Sequence, residues 1–321
     1  MPEYKRNHYV PEWYQRRFLS PDVRERKFFC LDLRPETIVN NGRSYRRNAL
    51  LRWGPDKCFR QDDLYTTKFK GWESTEIEEK FFGKIDSGGR AGLDYITNFQ
   101  HPSANGELLK NFLRYMSLQK LRTPKGLGYL ANLVNLSDKN LLLFKMQELE
   151  DLFCALWMEC IWSIADASHA ETKIILSDHP VTVYNKRCFP LSKICRGEGD
   201  PGIWLSGTHT LFPLNLNKLL ILTNLSWVRN PYGNPVRARP HPNLFRPAVF
   251  NFMHIQVERF LNDIEVNEIN FVIKKERRDI SRPKERIGFS PKRKCPRSIG
   301  TNLGTDIYLC RIHALSAFRQ R

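Results

Sequence analysis

Three clusters of side chains have the types and spacing to do chemistry. The first is His8-Tyr9-Val10-Pro11, a histidine just ahead of a proline that can open a helix, among basic and aromatic residues. An imidazole titrates near neutral pH and can act as a general acid or base; it can equally pack against the helix and cap it. The second is Tyr115, Gln119 and Arg122, at i, i+4 and i+7 on one face of an otherwise apolar helix. An arginine and a glutamine are expensive inside a core unless paired, so they face a partner carboxylate or a ligand. The third is Ser177-Asp178-His179-Pro180, a polar break in a β-rich run, whose residue types also suit a tight turn between two strands.

Other motifs carry less. Cys154-x5-Cys160 and Cys188-x6-Cys195 lack histidine partners at zinc spacing. No glycine-rich phosphate loop and no G-x-S-x-G elbow occurs. Glu171-Thr172-Lys173 has the form of the E-x-K half of a metal-dependent nuclease core, without an acidic residue on a preceding strand to complete it.

The elements that must position these clusters are read from periodicity and punctuation. Pro11 suits a short helix carrying Trp13, Tyr14 and Phe18 inward. Arg26 to Leu33 alternates as a strand, and Asn40-Asn41-Gly42 signals a hairpin turn. Thr75-x-x-Glu78 predicts a capping box opening a helix with Ile77, Phe81, Phe82 and Ile85 inward. Leu108 to Arg122 is a helix that stops at Thr123-Pro124. Ser137-Asp138 is expected to cap a long, central helix reaching Ala165, which makes Leu149–Ala165 a buried helix too short and too charged to span a bilayer. Lys173–Tyr184, Ile203–Leu211 and Leu216–Leu222 read as strands, Ala248 to Asp279 as a long helix, and Asp306–Ile312 as a last strand. The expected architecture is α+β, a central helical bundle packed against a mixed or antiparallel sheet. Residues 1–280 are expected to form one domain, and 281–321 a basic, proline-containing segment.

Composition narrows the partners. The 321 residues carry 51 Lys+Arg against 34 Asp+Glu, a formal charge of +17, while 41% apolar and 12% aromatic content excludes a disordered tail. The excess sits in two blocks: 14 basic against 7 acidic residues in 1–60, and 11 against 3 in 274–297. The second block includes Lys274, Lys275, Arg277, Arg278, Lys292, Arg293 and Lys294. It reads either as a solvated helix end and loop or as a phosphate-tracking surface. Eight cysteines without a C-x-x-C, several within apolar runs, are the usage of free thiols in a reducing compartment. No signal-peptide core follows the N-terminal charges, so a cytoplasmic, membrane-free protein is expected.

The three clusters also carry a resemblance. H-Y-V-P at 8–11, Gln119-x-x-Arg122-Thr123-Pro124, and Ser177-Asp178-His179-Pro180-Val181 resemble the H-Y-V-P, Q-x-x-R-T-P and S-D-x-P-V motifs of the mainly bacterial domain of unknown function 4238 family, with His179 where Asn is usual. Phe212-Pro213-Leu214 and the Asn267–Ile280 stretch also fall where that family has its "P-L" strand and a helix, so the likeness runs over about residues 7–280. Glu76-Ile77-Glu78-Glu79 fits, with Asp86 in place of a second Glu. The resemblance implies kinship of fold and no activity. It selects His8, Gln119, Arg122, Ser177 and Asp178, which either converge on a site or form a buried network holding the N-terminal helix.

Two functions fit these residues. One is a nucleic-acid-acting effector, an RNA- or DNA-cleaving nuclease, with His8 as acid or base, Asp178 orienting it or holding a metal such as magnesium, and Arg122 on phosphate charge. Gln119, Tyr115, Ser177, His179 and the basic block would bind substrate. The other is a non-catalytic basic module docking on nucleic acid or on an acidic protein partner. A nucleotide- or small-molecule-modifying enzyme is a third reading, since Arg and Gln also recognise nucleotides.

Overall fold

The computed structural model describes residues 6–21, 26–33, 35–186, 200–224, 250–275 and 286–289. The architecture is α+β. Its main sheet has five strands in the order β11-β12-β13-β9-β14: β9 (Ile161–Asp166), β11 (Thr182–Asn185), β12 (Thr208–Pro213), β13 (Lys218–Asn224) and β14 (Gln256–Phe260). All pairings are antiparallel except β14 with β9.

Alternation along these strands sends side chains to two different cores. Trp162, Ile164, Leu220, Leu222 and Phe212 face the larger one, and Ala165, Leu219, Ile221 and Leu211 face the smaller. The larger core is closed by α3 (Gly106–Leu121), whose Phe112 meets Trp162 and Phe212 at ring-centroid distances of 6.3 and 5.8 Å. The smaller is closed by α7 (Asp263–Lys275) through Val266, Ile269 and Ile273. With both faces covered, β9 is buried on both sides and loses the polar alternation that would mark it as a strand.

That burial explains the largest departure from the sequence reading. The helix expected from Ser137 to Ala165 is broken in three. Asp138 does cap α5 (Lys139–Glu148), its carboxylate accepting from the Leu141 N–H at 2.8 Å. A turn follows, then α6 (Cys154–Met158), then β9. A continuous apolar run reads alike for a buried helix and a doubly buried strand. The helix expected from Ala248 is likewise shortened: Phe252–His254 is a 3₁₀ turn, Gln256–Phe260 is β14, and Asn262 starts α7 by accepting from the Ile264 and Glu265 N–H groups. The expected strand at 306–312 lies outside the described residues.

The N-terminal elements follow expectation more closely. Pro11 precedes α1 (Glu12–Gln15), which buries Tyr14 and runs into a 3₁₀ turn burying Phe18. β1 (Arg6–His8) pairs with β6 (Arg60–Asp62). β2 (Phe28–Asp32) pairs with β5 (Leu50–Trp53) and β15 (Arg286–Phe289), and β15 also pairs with β10 (Leu176–Ser177). β3 (Thr37–Asn40) and β4 (Arg43–Arg46) form the hairpin signalled by Asn41-Gly42, with φ of 50° and 74° at the turn. β7 (Thr67–Phe69) and β8 (Trp72–Ser74) form a second hairpin.

The helix after Thr75 starts differently from a capping box. Residues 77–82 form a π-helical turn leading into α2 (Gly83–Thr97), and the Thr75 hydroxyl donates to Glu79 at 2.9 Å. The wider turn sends Glu78 inward. α2 packs tightly on α3 because Gly89 and Gly92 carry no Cβ: one at Gly89 would lie 2.5 Å from the Tyr115 Cβ, and one at Gly92 2.6 Å from the Leu108 carbonyl. Thr123 then caps α4 (Pro124–Val134), so the proline that ends α3 begins the next helix. Among the described residues no helix is long and apolar enough to cross a membrane, and Cys30, Cys58, Cys154 and Cys160 are free thiols.

Candidate functional site

The corner between α3 and α4 gathers most of the chemistry-bearing residues. Arg122 is 1% exposed. Its Nε and one terminal nitrogen donate to the Gln119 Oε1 at 2.8 and 2.6 Å, and its other terminal nitrogen donates to both oxygens of Asp86 at 2.9 and 3.2 Å. The guanidinium lies 5.4 Å from the Phe82 ring centroid and 5.6 Å from that of Tyr115. Tyr65 donates its hydroxyl to the Arg122 carbonyl at 2.7 Å, and the Gln119 amide donates to the Tyr9 carbonyl at 2.8 Å. One helix face thus clamps the His8-Tyr9-Val10-Pro11 segment through its backbone. Asp86, the residue standing in for a second Glu, is the counter-ion.

Two acids share this arginine. Burial pushes the Asp86 carboxyl up, and the adjacent Arg122 pulls it partly back. Glu78 is pushed up to about 7, chiefly by burial, with Arg122 opposing and Asp86 reinforcing the rise. Its buried Oε2 has no hydrogen-bond partner among the described residues. The site therefore holds one cation, one paired carboxylate and one carboxyl poised to carry a proton. Burial also lifts the Tyr65 and Tyr115 phenols, which stay neutral.

The opposite face of the same corner carries a second ion cluster, in which His179, named from the sequence, meets Lys120, Lys125 and Asp200, which the sequence reading did not single out. Lys120, 3% exposed, donates to Asp200 at 2.8 Å and lies over the Tyr129 and Phe153 rings. Lys125 pairs with the other Asp200 oxygen. Burial alone would raise the Asp200 carboxyl, but Lys120, Lys125 and His179 together hold it well below the usual carboxylate range. His179 shares a hydrogen bond with the Thr123 hydroxyl, and that hydroxyl also accepts from the Gly126 N–H at 3.1 Å. The i, i+3 pair Gln119/Arg122 serves one side and Lys120 the other, which is why the turn's residue types are so constrained. Lys120 and Lys125 gave no signal in the sequence beyond a lysine within an apolar helix.

The remaining candidates are dispersed. His8 is in β1, its Nε2 3.3 Å from the Asp56 carbonyl and 3.7 Å from Glu12; among the described residues its hydrogen-bond and ion-pair partners are these, not Arg122. Ser177 is buried in β10 and donates to the His179 carbonyl at 3.1 Å, within the turn its composition suggested. Asp178 is half-buried in that turn. Lys173 of the E-x-K tripeptide donates to the Ala167, Ser168 and Ala170 carbonyls, stapling its own loop. Lys274 and Lys275 end α7; Arg277, Arg278, Lys292, Arg293 and Lys294 lie outside the described residues. Among the described residues no group of three or more His, Cys, Asp or Glu is placed to hold a metal ion.

Part of this corner lies within the stretch that matches a known family. Residues 6–152 match the family described as protein of unknown function, DUF4238. The matched DUF4238 region takes in His8-Tyr9-Val10-Pro11, Glu78, Asp86 and Gln119-x-x-Arg122-Thr123-Pro124, so the resemblance drawn from the sequence holds over this stretch. It ends before Ser177-Asp178-His179-Pro180. No curated protein and no solved structure matches the chain.

Proposed function

We propose that the protein is a nucleic-acid-binding module whose Arg122 network is scaffold and whose contact surface is the β3–β4 hairpin. The observation that carries this reading is the hairpin's surface. Arg43, Arg46 and Arg47 are exposed and make no ion pair among the described residues, and Tyr45, between them, is 49% exposed. Arg43 and Tyr45 share one face of the ribbon, with Arg47 just beyond it. Unpaired guanidinium groups interleaved with an aromatic ring suit a single strand, where phosphates are neutralised and bases stack.

A cleavage site on His8, Arg122 and Asp178 is less well supported. Arg122 spends its donors on Gln119 and Asp86, which leaves little for a phosphate, and His8 is bonded elsewhere. The test is fluorescence anisotropy with a labelled single-stranded oligonucleotide, RNA and DNA in parallel. R43E/R46E/R47E should weaken binding by at least about tenfold and flatten its salt dependence. Unchanged binding would remove the hairpin from the reading. Magnesium-dependent degradation abolished by His8→Ala, with melting unchanged, would restore the nuclease.

A further inference from the structure

Between α1 and α2 lies a cleft of about 260 Å³ lined by Trp13, Arg16, Arg17, Arg90 and Asp94. We infer that this cleft is a binding site for a nucleotide unit, its phosphate held by Arg90 and Arg16 and its planar base laid against Trp13. Some of the cleft's charges are already used. Arg17 is fixed by three partners: it pairs with Asp94 and donates to the Leu214 carbonyl and the Thr97 hydroxyl, both at 2.9 Å. Arg17 is therefore a wall, and it consumes the charge of Asp94. Arg16 is tied to Glu12 at 2.8 Å but keeps a side chain that is 61% exposed. Arg90 is exposed and makes no hydrogen bond or ion pair among the described residues. Three guanidinium groups against two carboxylates leave the cleft with a surplus positive charge, centred on a side chain free to turn inward.

Trp13 supplies the second half. Its ring is half-buried, backed by Tyr115 and Tyr14 at centroid distances of 5.1 and 5.9 Å, so it is held as a rigid platform. Its indole N–H is buried and has no acceptor among the described residues. A fixed aromatic ring beside a free guanidinium recognises a phosphate and a base together. The cleft needs neither Arg43 nor Tyr45, so this site and the hairpin can succeed or fail separately.

The test is calorimetric titration of the full chain with a nucleoside monophosphate, the same nucleoside without phosphate, inorganic phosphate, and a single-stranded oligonucleotide. The monophosphate should bind more tightly than either the nucleoside or inorganic phosphate. Arg90→Glu, at an exposed position that makes no hydrogen bond or ion pair among the described residues, should weaken monophosphate binding by about tenfold or more with Tm unchanged, whereas R43E/R46E/R47E should leave it unchanged. An oligonucleotide that competes with the monophosphate would mark the strand's own nucleotides as a source of the ligand. Failure of the wild type to bind the monophosphate at millimolar concentration, or an Arg90→Glu variant that binds as well as wild type, would overturn the assignment. Equal affinity for inorganic phosphate and the monophosphate would overturn the role of Trp13.

Discussion

Replacing Arg122 by methionine separates a scaffold from a catalytic group. Methionine keeps much of the stem that packs against Phe82 and Tyr115 but removes every hydrogen bond of the guanidinium. Asp86, whose side chain is 24% exposed, is left as an uncompensated carboxylate, and the Gln119 Oε1 loses both its donors. Breaking a buried ion pair from one side costs about 3–5 kcal/mol, which at roughly 2–4 °C per kcal/mol lowers Tm by about 6–20 °C. The loss should depend on pH. Without Arg122 the Glu78 and Asp86 carboxyls rise further and can shed their charge by taking protons, so the deficit should be smaller at pH 5 than at pH 8. A double variant, R122M/D86L, removes the stranded charge and should recover part of the stability. Urea denaturation at both pH values, with far-UV circular dichroism, reads all three quantities. An R122M protein melting within about 2 °C of wild type at pH 7.5 would refute the scaffold argument.

Glu78→Gln should stabilise the protein at pH 8 and do little at pH 5. The Glu78 carboxyl is raised from 4.5 to about 7, so the folded state holds its proton more tightly, and stability present below about 4.5 is lost as pH rises through 7, up to about 3 kcal/mol; melting curves across this range check it. Asp200→Asn should act on the acid side instead. A carboxyl depressed in the folded state contributes stability above the usual 3.8 that falls away as pH drops through its folded value, so the variant should lose the steep acid limb and, with Lys120 left buried, should melt lower at pH 7 by thermal denaturation. Gly126→Ala should cost about 2 kcal/mol or more, because its Cβ would overlap the Lys120 carbonyl and fall 2.6 Å from that of Leu121, backbone atoms that cannot step aside; equilibrium urea unfolding measures it.

The sequence made local punctuation legible and global burial much less so. Pro11, Asn41-Gly42, Thr123-Pro124 and Asp138 each act within a few residues, and the structure uses every one as a turn or a helix start. Ile161–Asp166 was illegible because it is covered by α3 on one face and α7 on the other, and a strand with no solvent face has no polar alternation to display. The Tyr115, Gln119 and Arg122 face was visible from its spacing, and the cost of a buried arginine pointed to a carboxylate or a ligand. What spacing could not reveal was that Asp86, on α2, fills that role. Lys120 and Asp200 are paired, and Trp13 and Arg90 are brought to one cleft, by tertiary packing across long sequence separations. The +17 charge is sharper as a surface property than as a sum, since Arg122 is engaged by Asp86, and Lys120 and Lys125 together by Asp200, away from any partner.

The most direct test of nucleic-acid binding through the hairpin is the salt dependence of affinity for a single-stranded oligonucleotide, measured by anisotropy from about 50 to about 300 mM salt. Wild type should show affinity falling steeply and linearly on logarithmic axes, with the oligonucleotide recovered intact. R43E/R46E/R47E should reduce the slope by about two to three, one for each phosphate that an arginine no longer neutralises. A wild-type protein that does not bind, or whose affinity ignores salt and these three arginines, would contradict the account.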